Sequence, residues 1–275
     1  MRLSTVRRPD GQTAAGRVEG DEIVLLPFAS VGTLIASGPD WREAAAAAGE
    51  TVALEGADLA PLVPEPPKIV CMGLNYATHL REMGRTPPTH PTLFAKYASS
   101  LIGAHDDIVI PPVTNEVDWE GELAFVIGTK VRFADAKAAS EAIAGYTVMN
   151  DITMRDWQFR TLQFLQGKTF EGSTPLGPAL VTPDELDNAD DLALRTLVNG
   201  AVMQKSRTSD LLFPAAEIVR YVSQFMTLVP GDVLTTGTPG GVGHGRDPKV
   251  YLADGDVVTV EIEGVGTTQN TIRSA

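Results

Sequence analysis

Hydrophobic and polar residues alternate over short stretches along much of this 275-residue chain, and strands are the elements that such alternation predicts. Residues 3–26 alternate between turn-forming residues and predict a short antiparallel meander. The segments 192–198 and 201–206 are joined by Asn199-Gly200, which is a strong signal for a two-residue β-hairpin. The regular strand–helix alternation of a doubly wound sheet is missing, so the pattern predicts an α+β, β-rich fold that is largely antiparallel.

Helical spacing of apolar residues is confined to short segments. Short helices are predicted among the hairpins, over the alanine-rich residues 41–48 and over residues 134–144, 155–165 and 214–226. Gly167-Lys168-Thr169-Phe170 is expected to break the helix over 155–165.

A proline-rich segment divides the chain at residues 61–67. Proline fixes φ and restricts the residue before it, so this segment is expected to be stiff and extended. We therefore expect a small N-terminal α+β domain over residues 1–65 and a larger domain over residues 66–275.

Two glutamates stand at alternating positions where a long apolar strand begins. Glu120 and Glu122 precede the run 123–127, and because alternate side chains of a strand share a face, the two carboxylates project side by side. Like charges that close repel, so a cation between them would explain the pattern, and hard carboxylate oxygens favour Mg2+, Mn2+ or Ca2+. The alternative is an exposed edge strand with solvated acids, which is the usual interpretation when such a pair stands alone.

The balance of charge restricts the kind of partner. A formal net charge of -13 and a pI near 4.7 argue against binding to nucleic acid or to an anionic membrane, which both require clustered Lys and Arg. The expected partners are small molecules and further copies of the chain. The single cysteine, Cys71, cannot form an internal disulfide, the first residues lack the apolar core of a signal peptide, and no apolar run is long enough to span a bilayer. The sequence therefore predicts a cytoplasmic protein.

A histidine and a glutamate share one face of a short predicted helix. The segment 78–84 runs from Thr78, a candidate N-cap, to a glycine stop, and it carries His79 and Glu82 three positions apart. A carboxylate beside an imidazole orients the ring and stabilises its charged form, which is the arrangement of a general base. The proline-rich residues 85–91 that follow are expected to cover the site. A surface ion pair is the alternative interpretation.

The glycine-rich residues 237–245 do not match a nucleotide-binding loop. A phosphate loop ends in Lys-Ser/Thr and opens a helix, whereas this segment leads toward strands. A tight loop whose backbone approaches a small ligand is the better interpretation. His244 is a candidate contact for the distal end of that ligand, and Arg246 is a candidate partner either for a second substrate carboxylate or for the adjacent Asp247.

Several motifs follow one another in the order found in one family. The chain resembles the fumarylacetoacetate hydrolase family over residues 68–270, nearly three quarters of its length. The resemblance rests on Asn75-Tyr76 with His79 and Glu82, Asp118-Trp119-Glu120-Gly121-Glu122-Leu123, Asn150-Asp151 with Arg155-Asp156 and Gln158, Lys168-Thr169-Phe170, Pro175-Leu176-Gly177-Pro178 and Thr236-Gly237-Thr238-Pro239. It implies that family's C-terminal fold, a mixed β-sandwich roll with short helices, after the small variable domain that many bacterial members carry.

The resemblance also implies a metal centre. Family members bind one divalent ion, usually Mg2+ or Mn2+, through two glutamates and an aspartate that correspond to Glu120, Glu122 and Asp151. On its own Asp151 would be interpreted as a turn residue at a strand end, and Lys168 as a solvated lysine. Their joint spacing favours a site.

The resemblance implies roles for the remaining motif residues. The His79–Glu82 pair would activate water, and Lys168 would act with it in catalysis. Three carboxylates exceed the charge of a dication by one, so an anionic 2-oxo acid needs further cations, and Arg155 and Lys168 supply them. The substrate would also contact Gln158, Thr238, Gly237 and Tyr76.

The implied reaction is metal-assisted hydrolysis of a carbon–carbon bond in an acylpyruvate or a fumarylacetoacetate-like diketo acid. The same pyruvate-type enolate is reached by decarboxylating oxaloacetate or by isomerising acids of the 2-hydroxyhepta-2,4-diene-1,7-dioate or carboxymethyl-hydroxymuconate type, so these reactions are the alternatives. A non-catalytic metabolite-binding protein and a chiefly structural homodimer are hypotheses from other classes. Relatives are commonly homodimers, and neither the acyl group nor the choice between Mg2+ and Mn2+ follows from the sequence.

Overall fold

Strands outnumber helices in the structure, as the alternating pattern predicts. The computed structural model of the protein describes residues 1–82 and 86–275, except for the side chains of His79 and Glu82. Its strands are β1 (Arg2–Arg7), β2 (Thr13–Glu19), β3 (Glu22–Leu25), β4 (Thr51–Ala53), β5 (Ile69–Gly73), β6 (Thr92–Lys96), β7 (Leu101–Ile102), β8 (Ile108–Ile110), β9 (Val117–Asp118), β10 (Gly121–Ile127), β11 (Ile143–Asn150), β12 (Thr153–Met154), β13 (Thr174–Val181), β14 (Ala193–Val198), β15 (Ala201–Arg207), β16 (Val233–Thr235), β17 (Val257–Ile262) and β18 (Gly266–Ser274). The helices are α1 (Val31–Ile35), α2 (Trp41–Ala45), α3 (Ala77–Glu82), α4 (Ala136–Glu141), α5 (Arg155–Gln158), α6 (Leu165–Lys168) and α7 (Ala215–Val222).

Most strands belong to one large mixed sheet. Its order is β4-β3-β2-β1-β13-β11-β10-β16-β5-β6, with β7 pairing with β13 beside this path. A second sheet has the order β15-β14-β17-β18-β8, and β9 pairs with β12 alone. Most neighbours are antiparallel, while β5–β16, β7–β13 and β8–β18 are parallel. The predicted mixed, β-rich sandwich roll with short helices is confirmed.

The predicted N-terminal meander is also confirmed, and it extends the large sheet. Strand β1 pairs with β2 on one side and with β13 on the other. Arg7 at the end of β1 forms ion pairs with both Asp58 and Asp106. The division into domains at residue 65 stays a prediction.

The strand that carries Glu122 is buried on both faces. Leu123 and Phe125 of β10 pack into a core with residues of the second sheet and of α7. Ala124 and Val126 face the opposite way, toward a core that includes Trp41 of α2. Full burial of such aliphatic and aromatic side chains stabilises the fold by about 1.5–3 kcal/mol each. The alternative of an exposed edge strand with solvated acids is therefore wrong.

Of two local expectations, the structure confirms a hairpin and contradicts a helix. The hairpin at Asn199-Gly200 is confirmed, with positive φ of 51° and 78° at its central residues. A continuous helix over 155–165 with a break over 167–170 is wrong, because α5 ends at Gln158 and α6 contains the first two residues of the expected break. A Cβ on Gly167 would lie 2.5 Å from the backbone of Gln158, so glycine serves here to bring the two short helices together.

Candidate active site

The three predicted metal ligands meet at one end of neighbouring strands. Strands β10 and β11 are antiparallel, with Gly121 opposite Asn150, so Glu120 and Glu122 lie beside the residue that follows β11, Asp151. The backbone N–H of Asp151 donates to the carbonyl of Glu120 at 2.9 Å. One carboxylate oxygen from each of the three acids lies within 4.8 Å of the others, and all three residues are buried.

Three buried cations surround these acids. Lys168 Nζ donates to Glu120 Oε2 at 2.7 Å and to Asp151 Oδ2 at 2.8 Å. Lys96 Nζ donates to Asp151 Oδ1 at 2.6 Å and also to the carbonyl of Lys168. Arg155 Nη2 lies 2.7 Å from Glu120 Oε1. The two lysines and the arginine therefore neutralise Glu120 and Asp151 directly.

Glu122 is the acid that this network leaves without a cation. Its Oε2 accepts from the backbone N–H of Gly237 at 3.0 Å, while Oε1 has no hydrogen-bond partner in the described part of the chain. Burial, and then the negative charges of Asp151 and Glu120, raise the pKa of the Glu122 carboxyl well above its ordinary value. A buried carboxylate oxygen without a donor, next to two further acids, is a position that a cation would stabilise.

The ion pairs hold their charges despite burial. Burial acts to raise the pKa of Asp151, but Lys168 and Lys96 outweigh it and hold that pKa below its ordinary value. Burial acts to lower the pKa of Lys168, but the negative charges of Asp151 and Glu120 outweigh burial and hold that pKa above its ordinary value. Asp151 and Lys168 therefore stay ionised because oppositely charged groups lie beside them.

Asp118 connects the cluster to the glycine-rich loop. Its Oδ2 accepts from Arg155 Nε at 2.8 Å and from the backbone N–H of His244 at 2.9 Å, and its Oδ1 accepts from the backbone N–H of Gly243 at 2.7 Å. The loop therefore meets buried acids with its backbone N–H groups, through Gly237 at one end and Gly243 at the other. The chain continues from the loop into strands β17 and β18, and residues 246–275 contain no helix. This agrees with the prediction that the loop is not a nucleotide-binding loop.

Several predicted substrate contacts are engaged with other protein groups. Gln158 Oε1 accepts from Arg155 Nη1 at 2.9 Å. The hydroxyl of Thr238 donates to the carbonyl of Gly121 at 3.0 Å and accepts from Gln204 Nε2 at 2.7 Å. A hydroxyl has one proton to donate, so Thr238 can donate to a substrate only when its contact with Gly121 opens.

Tyr76 presents a different environment from these polar residues. It is fully buried, and its hydroxyl has no partner among the residues described. Burial, and then the charges of Glu122 and Asp210, raise the pKa of the phenol. A phenol in such surroundings keeps its proton and is ready to donate it.

The predicted general-base pair falls outside the described side chains. The backbone of α3 is helical over Ala77–Glu82, but the side chains of His79 and Glu82 are not described, so their partnership stays a prediction. The expectation that Thr78 caps this helix is wrong, because Thr78 lies inside α3 and donates its backbone N–H and its hydroxyl to Asp210. The carboxylate of Asp210, from a distant segment, accepts a backbone N–H at the start of α3 that a local N-cap side chain would otherwise accept.

Arg246 contacts backbone carbonyls rather than the adjacent Asp247, and its contact with a substrate carboxylate stays a prediction. Its Nη2 donates to the carbonyls of Met203 and Gly241 at 2.8 Å and 3.2 Å. His244 Nδ1 lies 2.8 Å from the hydroxyl of Tyr251, and burial lowers the pKa of this histidine. Both side chains thus secure the loop in this structure.

Two residues of the cluster were not recognised as site residues from the sequence. Lys96 ends the short apolar strand β6, and a lysine in such a place is the only sequence signal it gives. Asp118 belongs to the motif that contains the two glutamates, yet nothing in its spacing predicts that it would hold Arg155 and the loop. Both roles depend on contacts between segments far apart in the chain.

The fold and the site define a class of β-rich proteins. In this class, three buried carboxylates lie among buried cations and can hold a divalent ion. The family model described as fumarylacetoacetate (FAA) hydrolase C-terminal matches residues 68–273. The chain belongs to the fumarylacetoacetate hydrolase family. The resemblance of its motifs to that family is thereby confirmed.

Individual relatives cover most or all of the chain. It is 47% identical over 216 residues to the mitochondrial oxaloacetate tautomerase FAHD2A of Bos taurus, an alignment of 78% of this chain and 68% of that protein. The fumarylacetoacetate hydrolase of Exiguobacterium antarcticum has a similar structure, with a TM-score of 0.89, 35% identity and full coverage of both chains. The 5-carboxymethyl-2-hydroxymuconate delta-isomerase of Mycobacterium smegmatis gives a TM-score of 0.82 and 36% identity, over 100% of this chain and 99% of its own. These three names describe three different reactions, so membership of the family does not by itself select one.

Within residues 1–82 and 86–275, no helix combines the length and the apolar character that crossing a bilayer requires.

Proposed function

We propose that the protein is a divalent-metal-dependent enzyme that stabilises the enolate of a small 2-oxo acid, and that its reaction is the keto–enol tautomerisation of oxaloacetate. The observation that carries the proposal is the buried cluster around Glu120, Glu122 and Asp151. Buried charge at this density is costly for a fold, and such clusters mark functional sites. The 47% identity to a protein named as an oxaloacetate tautomerase supports the choice of substrate.

The charges of the site suit a cation followed by an anion. The four buried carboxylates of Asp118, Glu120, Glu122 and Asp151 face three buried cations, which leaves a formal charge of -1. A dication held by the triad would change this charge to +1 and so attract an anionic 2-oxo acid. Mg2+ and Mn2+ suit three hard oxygen ligands, and Ca2+ is an alternative. When bound, the ion would attract the 2-oxo oxygen as negative charge develops on it.

The protein's own side chains would orient the substrate. Because Gln158 Oε1 accepts from Arg155, the amide Nε2 of Gln158 is the end that can donate to a substrate carboxylate. Arg155 spans Asp118 and Glu120, so its first effect is to hold Glu120 in position. Gly237 holds Glu122 in the same way through its backbone N–H.

Tautomerisation requires one proton to leave carbon and another to reach oxygen. The bond from C3 to hydrogen breaks, and a bond from the C2 oxygen to hydrogen forms. Tyr76 is our candidate donor to that oxygen, because its hydroxyl is buried and protonated and has no partner within the described residues. His79, oriented by Glu82, is our candidate base for the proton on C3, on the strength of the family resemblance.

The proposal is tested by the rate at which enol-oxaloacetate converts to the keto form, followed by its ultraviolet absorbance. Metal-stripped protein is compared with protein reloaded with Mg2+, against buffer with the same free Mg2+. We expect acceleration that needs both protein and metal, that falls by about 100-fold or more in Glu122→Gln, and that survives in the control Glu43→Gln, which changes an exposed glutamate. Conversion no faster than in the Mg2+ buffer would refute the proposed reaction.

Hydrolysis of an acylpyruvate is a second candidate function. It is favoured by the helical backbone of α3 over Ala77–Glu82, which puts His79 and Glu82 three residues apart on one helix. The 35% identity to a fumarylacetoacetate hydrolase also supports it. Pyruvate release from a panel of acylpyruvates would establish this reaction if it required metal and disappeared in His79→Ala. Carbon dioxide release from oxaloacetate, measured in parallel, would instead indicate a decarboxylase.

Three further expectations stay predictions. We propose a homodimer, a cytoplasmic location and a domain boundary at residue 65. Light scattering of the purified protein tests the dimer, and a mass equal to one chain would contradict it. Imaging of the tagged full-length protein tests the location, and cleavage near residue 65 by limited proteolysis tests the boundary.

A further inference from the structure

We infer that Lys168 is the resident counter-ion of the acid triad and leaves its position when a divalent cation binds, while Lys96 keeps its own. The inference rests on the metal centre proposed above. It concerns what the two buried lysines do, and it gives them different roles although both contact Asp151.

The partners of the carboxylate oxygens separate the two lysines. Glu120 Oε1 contacts Arg155, and Asp151 Oδ1 contacts Lys96. The second oxygen of each acid, Glu120 Oε2 and Asp151 Oδ2, contacts the same ammonium group, that of Lys168. Withdrawal of this one group therefore releases an oxygen on both acids, which withdrawal of Lys96 or Arg155 would not do.

The third acid already has an oxygen available. Glu122 Oε1 has no hydrogen-bond partner in the part of the chain that the structure describes. A cation that takes one oxygen from each acid would thus use Glu122 Oε1 together with the two oxygens that Lys168 now occupies. An ammonium and a dication on the same two oxygens would repel each other strongly in a buried site, so the two cations compete.

This competition explains how Lys168 can contact the acids when the metal is absent and a substrate anion when the metal is bound. Without metal, Lys168 compensates two buried carboxylates and keeps the site folded. With metal, the same compensation comes from the ion, and the ammonium becomes available to a substrate anion. Lys96 remains bonded to Asp151 and to the carbonyl of Lys168, so it fixes both the acid and the backbone from which the mobile side chain extends.

The two lysines provide matched variants for a direct test. Mn2+ binding to metal-stripped wild type, Lys168→Met and Lys96→Met is measured by calorimetry and by the electron paramagnetic resonance of free Mn2+, without substrate. Both variants remove one buried positive charge that contacts Asp151, so a general effect of charge would raise the affinity equally. We expect Lys168→Met to bind Mn2+ about tenfold more tightly than Lys96→Met, with circular dichroism reporting that both fold. Equal or weaker binding by Lys168→Met would overturn the inference.

A second measurement uses the unchanged protein and does not depend on the folding of a variant. In a crystal structure with Mn2+ bound, we expect Lys168 Nζ beyond hydrogen-bond distance of Asp151 Oδ2, and Lys96 Nζ still bonded to Asp151 Oδ1. A structure in which Lys168 keeps both present contacts beside the ion would refute the competition and leave the metal centre intact. Absence of Mn2+ binding by the wild type would refute the proposed metal centre itself, so the two failures can be told apart.

Discussion

Replacing Gly237 with alanine should weaken both the fold and the metal site, because this glycine supplies the donor to Glu122 from a backbone conformation that disfavours other residues. Its φ is +84°, and a Cβ there would lie 3.0 Å from the carbonyl oxygen of Met72 and 3.2 Å from the Cβ of Asn75. The backbone N–H that donates to Glu122 Oε2 is on the same residue. A displacement that relieves the contact therefore moves the donor as well.

The chain contains a control that separates these effects. Gly255 has the same φ of +84°, and a Cβ added to it would meet nothing within 4 Å. Alanine at either position bears the cost of a left-handed backbone, about 1–2 kcal/mol. At Gly237 the overlap and the weakened hydrogen bond to a carboxylate add about 1.5–3 kcal/mol. We therefore expect Gly237→Ala to lose about 2.5–5 kcal/mol of unfolding free energy, and Gly255→Ala about 1–2 kcal/mol.

Urea denaturation of the metal-stripped proteins measures both free energies under the same conditions. Mn2+ titration of the folded proteins then measures the consequence at the site, where we expect Gly237→Ala to bind about tenfold more weakly because Glu122 loses its orientation. Gly255→Ala should bind Mn2+ like the wild type. Equal destabilisation by the two substitutions, or unchanged Mn2+ affinity in Gly237→Ala, would show that the contact between the loop and Glu122 does not hold the site.

Three other substitutions probe the charges. Glu122→Gln removes a carboxyl whose pKa is raised, so we expect a higher melting temperature for the metal-free protein at pH 8 but no further rise with Mn2+. Asp118→Asn leaves Arg155 with one buried acid, and we expect a loss of about 3 kcal/mol and faster amide exchange over residues 241–246. For Asp106, burial acts to raise the pKa, but hydrogen bonds from Arg7 and a backbone amide outweigh it, so the folded-state pKa lies below the ordinary 3.8. Its contribution, at most about 1 kcal/mol because the pair is partly exposed, is present above pH 3.8 and lost as pH falls below it, so denaturation curves of wild type and Asp106→Asn should converge at low pH.

Local patterns in the sequence were sufficient for much of the fold. The hairpin at Asn199-Gly200 depends on two residues that tolerate positive φ, and that requirement is visible without any tertiary contact. The pairing of Glu120 with Glu122 likewise depends only on the period of a strand. By contrast, the helix expected over 155–165 ends at Gln158, and Gly167 of α6 packs closely against that residue, a contact that is not encoded in helical spacing.

The candidate site shows the same division between local and distant causes. Asp151 joins the two glutamates through the register of β10 and β11, which the family motifs anticipate. Lys96 comes from β6 at the edge of the large sheet and reaches Asp151 across 55 positions of sequence. No periodicity links two residues so far apart, and single lysines at strand ends are common on surfaces, so only the packed structure identifies it.

The connectivity of the buried charges suggests where the reactions of related proteins can diverge. Asp118, Arg155, Glu120, Lys168, Asp151 and Lys96 form an unbroken chain of ion pairs. Removing any inner member leaves an uncompensated buried charge, a loss of about 3–5 kcal/mol, which is a large part of the stability of most domains. Uncharged residues outside this chain of ion pairs, such as the buried Tyr76, leave no buried charge uncompensated when they change, so they can change with a smaller loss of stability. If the proposed function is correct, a tautomerase, a hydrolase and an isomerase could therefore share a cluster that stabilises an enolate and differ in the neighbouring groups that supply a proton or a water molecule.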